Sequence, residues 1–307
     1  MKWANQVCVW MILTGMLAAC ETEIYPELQE AESLVAVDAW INNKATQQVI
    51  TVALSQSYLD NTLPPGVSGA VVSVENQTTG KIFVFTESPD VKGSYLWTPV
   101  KGVDSLGTWG DKFRLLIQTN DESYEAFSVM GRVPQIDSIS FTFQPKNAIQ
   151  PDSYMAEFWA VDPLGQGDTY WIRATKNDTL LNKPSEISLA YDAGFSNGGN
   201  FDGIEFLPPI RSSINPFEQD ADKNLLSPYD PGDSVYVELH SITLSAFNYL
   251  TQVAVQTNRP GGFAELFSTP LANVSTNIVN INASEKQALG FFNVAAVSGG
   301  GKRLVKK

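Results

Sequence analysis

Alternation between apolar and polar residues is the feature that most limits what this chain can fold into. About seven short stretches between residues 33 and 132 repeat with period two, and none shows a helical period. Successive side chains of a β-strand point to opposite faces, so each stretch buries one face and exposes the other. The stretches are LVAVDAWI, QVITVALSQS, AVVSVEN, KIFVFTE, GSYLWTPV, DKFRLLIQT and YEAFSVMG. Short strands at this spacing predict a β-sandwich over residues 33–132.

A second β-rich domain with one helix is predicted over residues 133–301. Alternation resumes at VPQIDSISFTF and is clearest in DSVYVELHSITL. In SAFNYLTQVAVQT the apolar residues recur at helical spacing, and Ser245 stands where a cap would start the helix. The segment 192–233 is rich in Gly, Pro, Asn and Asp, and we expect a long, partly structured loop there, our first candidate for binding. The predicted fold is therefore mainly β.

The N-terminus has the features of a secretory signal. A short charged start precedes an apolar run from Val7 to Ala19. This run is shorter than the about 20 apolar residues that a membrane-spanning helix needs. Its ending, Leu17-Ala18-Ala19-Cys20, resembles the lipobox of bacterial lipoproteins. The resemblance implies that residues 1–19 are removed and that Cys20 is lipidated, the alternative being an ordinary signal peptide with an incidental cysteine.

The residues after Cys20 are acidic and predict a tether. Five glutamates lie between residues 20 and 32, and lipid chains on Cys20 would hold the protein to a membrane without a spanning helix. Acidic residues in this position resemble the export signals of Bacteroidota lipoproteins on the outer face of the outer membrane. We therefore expect an outer-membrane location facing the cell exterior, with the periplasmic face as the alternative. At the other end, residues 302–307 are a basic C-terminal end, and the stretch GGGKRLVKK is either a last short strand or a frayed tail.

The charge and the cysteine content exclude several classes of protein. The formal net charge is −13, which argues against nucleic-acid partners and against electrostatic docking on anionic lipid. The only two cysteines are Cys8 and Cys20. Because the predicted cleavage removes Cys8, no disulfide is expected, and stability must come from core burial.

Few residues have the chemistry of a catalyst. His240 is the only histidine, and it alternates with apolar residues in DSVYVELHSITL, so it is predicted to face solvent or a partly polar surface. The mature chain would have one histidine and no free thiol, which excludes a Cys–His pair and a zinc cluster. There is no nucleophile elbow, and SGGGK lacks the first glycine of a phosphate-binding loop. We expect no enzyme and no cofactor. The alternative is a carboxylate-dependent glycoside hydrolase, because acidic residues are abundant.

No metal site is predicted. Asp220, Asp222 and Asn224 have the spacing of the start of a calcium loop, but Leu225 stands where a glycine is needed and Pro231 stands at the position of the last ligand, a glutamate. The sequence therefore has no EF-hand. A looser calcium site in segment 192–233 is a minor alternative.

Two kinds of surface site are candidates. Trp109, in the glycine-flanked stretch LGTWGDK, is the tryptophan most expected to be exposed, where it could contact a sugar or a partner; the alternative is core packing. Four Ser or Thr residues that follow an aspartate and precede an aliphatic residue resemble the O-glycosylation motif of secreted Bacteroidota proteins. They are Ser105, Ser138, Thr179 and Ser234. Asp–Ser pairs also suit turns and strand starts.

Motifs along nearly the whole chain resemble one family, the domain of unknown function 4249 of Bacteroidota lipoproteins. They are Cys20 with its lipobox, LVAVDAWI, VSGAVVSV, VPQIDSIS, VDPLGQGDTYWIR, PGDSVYVELHSIT, FNYL and ALGFFNVAAVS. The first half is also similar to carboxypeptidase-regulatory-like, prealbumin-type sandwiches. The residues that carry this second likeness are Val67, Gly69, Ala70, Val72, Gly93, Tyr95, Phe113 and Leu115.

The family resemblance implies a function by association. Such lipoproteins are encoded near TonB-dependent transporters, which implies a role in surface uptake or assembly and transfers no catalytic residue. We therefore expect a non-enzymatic binding or accessory component beside a TonB-dependent outer-membrane transporter, with an unknown ligand. Besides the hydrolase, a structural or adhesion protein is the other alternative.

Overall fold

Sixteen β-strands and two α-helices are present in the part of the chain that the computed structural model describes. This part is residues 32–306 without 58–59, 61, 101–103, 148–150, 197, 269 and 283–285, and the predicted signal and Cys20 lie outside it. The first seven strands are β1 (Val35–Asn42), β2 (Gln48–Leu54), β3 (Val71–Asn76), β4 (Lys81–Glu87), β5 (Ser94–Trp97), β6 (Lys112–Gln118) and β7 (Ser123–Val129). They coincide with the seven alternating stretches, so the predicted mainly-β fold is confirmed.

The remaining elements follow in chain order. The strands are β8 (Ser138–Gln144), β9 (Ser153–Trp159), β10 (Thr169–Lys176), β11 (Thr179–Leu180), β12 (Ser188–Tyr191), β13 (Ser234–Ile242), β14 (Val279–Asn280), β15 (Leu289–Ala295) and β16 (Val297–Arg303). The helices are α1 (Pro208–Arg211) and α2 (Leu244–Thr257), and short 3₁₀ turns lie at Pro184–Glu186, Ser212–Ile214 and Gly262–Phe267. None of the described helices is long and apolar enough to cross a membrane.

The first sheet has nine strands in the order β14-β7-β6-β3-β4-β5-β2-β1-β15. Its two ends approach each other, because Val294 of β15 donates its backbone N–H to Ser128 Oγ of β7 over 3.0 Å. The sheet therefore wraps around its own core. Alternate residues of the strands fill this core, among them Val37, Ile50 and Phe292, each at most 1% exposed. This inward set is the one that the period-two alternation predicts.

The second sheet has the order β11-β10-β13-β16, with β12 also paired to β10, and the hairpin β8–β9 packs beside it. Segment 192–233 supplies core residues here, since Phe206, Ile210 and Tyr229 are at most 1% exposed. The segment expected to be mainly a loop is therefore in good part a packed cover of the second sheet.

Helix α2 lies over the other face of the second sheet and confirms the predicted helix. Its cap is Thr243, whose side-chain oxygen accepts a hydrogen bond from the N–H of Ala246 over 3.2 Å. The predicted cap, Ser245, is wrong, because the cap lies at Thr243, directly after strand β13 ends at Ile242, and the helix therefore begins two residues earlier, at Leu244. Ala246 and Leu250 face inward and form a third apolar cluster with Phe291 of β15.

The last strands join the two sheets. Strand β15 pairs in parallel with β1 of the first sheet, and β16, which follows after Ala296, pairs with β13 of the second sheet. Residues 33–307 form one compact unit. The predicted division into domains 33–132 and 133–301 is therefore wrong, because β14 and β15 complete the sheet that begins at residue 35.

The C-terminal end is a strand and not a frayed tail up to Arg303. Lys302 donates from Nζ to the backbone oxygen of Ile139 over 2.7 Å, and Leu304 is buried. The glycines of SGGGK have a packing role. A Cβ at Gly299 or Gly301 would meet the ring of Tyr236 within 3 Å, so these glycines let that ring lie against the strand.

Candidate functional site

Charged and aromatic side chains gather where the outer face of β1 meets the second sheet and helix α2. We call this place the inter-sheet cleft and define it by Asp38, Trp40, Trp171, Arg173 and Tyr249. Asp38 and Trp40 are two residues apart on β1, and Trp171 and Arg173 are two residues apart on β10, so each pair shares one face of its strand. The two tryptophans meet edge to face with ring centroids 5.3 Å apart.

Aromatic packing fixes the walls of the cleft. The Trp40 ring stacks on Phe291 at 5.7 Å between centroids, and Tyr249 of α2 lies 4.7 Å from Phe291 and 6.0 Å from Trp40. Such offset and edge-to-face pairs contribute roughly 0.5–1.5 kcal/mol each beyond the burial of their area. The side chains beside them are therefore held in place by a rigid surface.

A hydrogen-bonded charge network lies on the β13 side. Register places His240 opposite Trp171 and Glu238 opposite Arg173. Glu238 pairs with Lys44 and lies 2.9 Å from Nε2 of His240. The hydrogen bond from His240, together with the bond and charge of Lys44, lowers the pKa of Glu238 to about 2. Burial lowers the pKa of His240, so the neutral ring with its proton on Nε2 donates to the carboxylate.

The predicted surface position of His240 is wrong. The residue is 5% exposed, because the side of the second sheet that carries it is covered by Trp171 and by the elements around β1. Its Nε2 is bonded to Glu238, and the buried ring is not accessible to a substrate. No signal in the sequence could have shown this, since a strand pattern does not reveal what covers its polar face.

Asp38 and Arg173 are the two charges of the cleft that remain unpaired. Neither side chain has a hydrogen bond or an ion pair within 4.0 Å to another described residue. The Arg173 guanidinium lies over the ring of Trp171 at 4.7 Å. Burial lowers its pKa, while the negative charges of Glu238 and Asp38 act in the opposite direction. Solvent reaches Asp38, but the surrounding protein removes enough water to raise the pKa of its carboxyl, against the positive charge of Arg173.

A second group of charges organises the loop between β9 and β10. Carboxylate oxygens of Asp162, Asp168 and Asp192 lie within 4.8 Å of one another. Asp162 accepts from the Tyr170 hydroxyl over 2.6 Å, and Asp168 pairs with Arg132 over 2.5 Å. Burial is the main cause that raises the pKa of Asp162 to about 6. Three carboxylates are a donor set that suits a hard cation such as Ca²⁺.

These aspartates already have protein donors. Asp192 Oδ1 accepts from the backbone N–H groups of Gly167 and Asp168 over 2.8 and 3.0 Å, and Asp162 accepts from Gly203 N over 3.2 Å. The cluster therefore has a structural use, which is to hold the glycine-rich turn of VDPLGQGD.

Most of the residues predicted as surface sites are exposed. Trp109 is 66% exposed, as predicted, beside Gly110 with φ 89°. Ser105, Ser138 and Thr179 are exposed, whereas Ser234 is half-buried and donates to Asn177. Their modification stays a prediction.

The stretch from Asp220 to Asn224, which has the spacing of the start of a calcium loop, is closed by its own hydrogen bonds. Asp220 Oδ1 accepts from the N–H groups of Asp222 and Asn224 over 2.9 and 2.8 Å, and Oδ2 accepts from the amide of Asn224 over 3.0 Å. The Asp220 carboxylate therefore closes its own turn.

Comparison with known proteins gives the family. The family described as "Domain of unknown function (DUF4249)" matches residues 21–299. The chain belongs to the DUF4249 family. The family resemblance seen in the sequence is thus confirmed. Comparison with curated proteins finds no match. Among solved structures, this DUF4249 protein is similar to the crystal structure of bovine butyrophilin, with 11% identity, coverage of 68% of this chain and 92% of that chain, and a TM-score of 0.19.

Proposed function

We propose that this protein is a lipid-anchored lipoprotein of the Bacteroidota outer membrane that acts as a non-enzymatic binding or accessory component beside a TonB-dependent transporter. The lipobox at Cys20, the glutamates after it and membership of the DUF4249 family support this proposal. The likeness of the first half to prealbumin-type sandwiches, whose strands present binding surfaces, is consistent with it.

One observation carries the proposal. The compact unit begins at Ser33, so only residues 20–32 separate it from the lipidation site. Thirteen residues reach at most about 45 Å when fully extended. The lipid would therefore keep the folded body close to the membrane, within reach of a membrane-embedded partner, while the acidic character of the chain, whose net charge is −13 over all 307 residues, keeps the body off anionic lipid.

The inter-sheet cleft supports a binding role. It presents unpaired charges beside rigid aromatic rings, which is the arrangement of a recognition site. The hydrolase alternative gains no support from the geometry, because the three carboxylates that converge, Asp162, Asp168 and Asp192, bond to donors of the protein itself. His240 is likewise occupied by Glu238.

Affinity purification from native membranes tests the proposal. The tag belongs after Lys307 on a flexible linker, because Leu304 is buried and Lys302 bonds the strand β8. We expect the protein in the outer-membrane fraction, accessible to protease on intact cells, together with a stoichiometric β-barrel transporter. The matched control is Cys20→Ser, which should leave the membrane fraction. A wild-type protein that purifies without a transporter would contradict the accessory role, and a Cys20→Ser variant that stays in the membrane would contradict the lipid anchor.

A further inference from the structure

Strand β12 lies at an edge of the second sheet and pairs with β10 along one side. Asp192, the residue after β12, donates its N–H toward this side, to the backbone oxygen of Asp168 over 2.7 Å. Tyr191 exchanges two backbone hydrogen bonds with Gly194 on the opposite side, over 2.8 and 3.0 Å. Because the backbone groups of successive strand residues point alternately to the two sides, those of Leu189 point away from β10, as those of Tyr191 do.

The edge of β12 is open around Leu189. On the side away from β10, neither the N–H nor the C=O of Leu189 bonds to a described residue, and the C=O of Ile187 accepts no hydrogen bond from one. The edge is closed on both sides of this opening, by the bonds between Tyr191 and Gly194 and by the N–H of Ile187, which donates to Pro184 over 3.4 Å. One donor and two acceptors of the backbone therefore remain for a partner, and an open strand edge is a template for pairing with another chain.

The open edge lies in a groove of about 810 Å³, which residues 185–189 line. Helix α2 forms one wall with Phe247, Thr251 and Val255, which share one helical face because they are four residues apart. Pro209 belongs to the other wall, which comes from the cover on the opposite face of the sheet. The volume is within the range of about 300–1,000 Å³ of ligand sites. A strand added to β12 would therefore be covered on both of its faces.

The groove exposes apolar side chains to solvent. Phe195 and Val255 line it, and each is 54% exposed. Grouped apolar side chains at a surface mark interaction sites. They favour a ligand that itself carries apolar side chains.

One carboxylate gives the groove its charge. Glu186 is the only charged residue among the described residues that line the groove, and its side chain is 7% exposed. Its Oε2 accepts from the N–H of Lys183 over 2.8 Å, whereas its buried Oε1 accepts no hydrogen bond. The Nζ atom of Lys183 lies 3.8 Å from this Oε1 and 3.5 Å from Oε1 of Glu218. Because one lysine serves two carboxylates, a cationic group of the ligand is favoured at this end of the groove.

We propose that the groove along β12 binds an extended peptide segment of a partner protein by addition of a strand to the second sheet. The segment runs antiparallel to β12. One of its residues exchanges two hydrogen bonds with Leu189, and the residue two positions later donates its N–H to the C=O of Ile187. Its apolar side chains lie against Phe195 and Val255, and its C-terminal end brings a lysine or arginine to Glu186. A second copy of this chain, whose net charge is −13, is disfavoured as the occupant because it would add negative charge.

Fluorescence polarisation with the mature protein in detergent tests the assignment. The probes are hexapeptide amides with fluorescein at the N-terminus, in which valine, leucine or phenylalanine alternates with threonine and the C-terminal residue is lysine. We expect at least one of them to bind with a Kd below about 100 μM. Replacing its lysine by glutamate should weaken binding about tenfold, because the peptide then brings a second negative charge to Glu186.

N-methylation of the best peptide, one residue at a time, tests the backbone contacts. In the proposed arrangement two residues of the peptide, two positions apart, donate their N–H to the carbonyl oxygens of Leu189 and Ile187. Methylation at either of these should weaken binding about tenfold, and methylation of the residue between them should have little effect, because its N–H points away from β12. This measurement uses the wild-type protein, so it does not depend on whether a variant folds.

A proline at position 189 tests the same contacts from the side of the protein. Leu189→Pro removes the N–H that faces the groove, while Ser188 and Ala190 keep the N–H groups that face β10. Proline is tolerated in an edge strand where its missing N–H would face solvent, so this variant should fold and lose peptide binding. The matched control is Leu189→Ala, which loses the leucine side chain but keeps the N–H and should still bind the peptide.

Variants of the walls test the side-chain contacts. Glu186→Gln should weaken binding of the lysine peptide about tenfold and bring it level with a peptide that has threonine in place of the lysine. Val255→Asp should weaken binding of every peptide of the set. Its matched control is Leu244→Asp, a residue of the same helix that is 51% exposed and lies outside the groove, and this variant should bind as the wild type does. Melting temperatures identify any variant that fails to fold.

Four results would overturn the assignment. They are the absence of binding below about 100 μM for every peptide, an N-methyl scan without the expected pair of positions, unchanged affinity in a folded Leu189→Pro variant, and a dimer in sedimentation that Leu189→Pro dissociates, which would make a second copy the occupant. The groove shares no residue with the inter-sheet cleft, and the assignment goes beyond the proposed function. A protein that purifies with a transporter but binds no peptide refutes only the groove assignment, and one that binds a peptide but purifies alone refutes only the accessory role.

Discussion

Replacing Phe292 by alanine tests the claim that the C-terminal strand β15 completes the core of the first sheet. The Phe292 side chain is 0% exposed and belongs to the core cluster that also contains Val37 and Phe113. Truncation of a fully buried phenylalanine costs about 3–5 kcal/mol, from lost burial and from the cavity that remains. The backbone bonds of Phe292 to Asn277, at 2.8 and 2.9 Å, survive the change. The free energy of unfolding should therefore fall by about that amount, which corresponds to roughly 6–20 °C in melting temperature.

The control and the readout follow from the same structure. Phe127 is 54% exposed on the neighbouring strand β7, and Phe127→Ala should cost less than about 1 kcal/mol. Urea unfolding is followed by fluorescence in variants that keep only Trp97, in the first sheet, or only Trp159, in the β8–β9 hairpin. Because β15 of the first sheet continues after Ala296 into β16 of the second, Phe292→Ala should move both reporters together. A shift of the Trp159 transition alone, or a loss below 1 kcal/mol, would refute the reasoning.

Three further results are expected. Stability should fall with acid in two steps. The depressed pKa of His240 makes its protonation unfavourable in the folded state below about pH 6.5, and the Glu238 contribution is lost as the pH falls from 4.5, the ordinary pKa of a glutamate, towards about 2. Urea midpoints between pH 8 and pH 3 check this, and a His240→Asn variant should lose the upper step and weaken the lower one, because the hydrogen bond from His240 is the first cause of the low pKa of Glu238. Tyr170→Phe removes the 2.6 Å hydrogen bond to Asp162 and should lower the free energy of unfolding by about 1–3 kcal/mol in urea at pH 7. The cost should be smaller at pH 5, because the Asp162 carboxyl, of pKa about 6, is largely neutral there. Trp109→Ala should change the unfolding free energy by less than about 0.5 kcal/mol, because the side chain is 66% exposed, and a larger loss in the same urea assay would show that the ring packs.

Local sequence patterns predicted the strands and the long helix well, but they did not predict which strands pair with each other. The alternation in LVAVDAWI identifies β1 and its inward residues because burial of one face is a local property of the sequence. The parallel neighbour of β1 is β15, from Ala36 opposite Leu289 to Asn42 opposite Ala295. Nothing in either stretch encodes this pairing, which is why the domain boundary at residue 132 was wrong.

The same limit explains what was missed in the cleft. Asp38 and Arg173 stand at polar positions of alternating strands, where a solvent-exposed charge is the ordinary outcome. The contact of Trp40 with Trp171 is a tertiary one and brings their strands together. The prediction that His240 faces solvent was wrong for the same reason, since the residues that cover this face of β13 come from other parts of the chain. The exposure of Trp109 was predicted correctly because a glycine-flanked turn is a local feature, while its contact with a sugar or a partner stays a prediction.

The strand order also sets when this protein can fold. A chain that emerges with its N-terminus first cannot close the first sheet until residue 295 is available, since β15 supplies the last neighbour of β1. Contacts of such large sequence separation slow folding, because the whole intervening loop must be ordered before they form. In the proposed export across a membrane, the polypeptide would therefore stay unfolded in transit, and it would fold only after release on the far side.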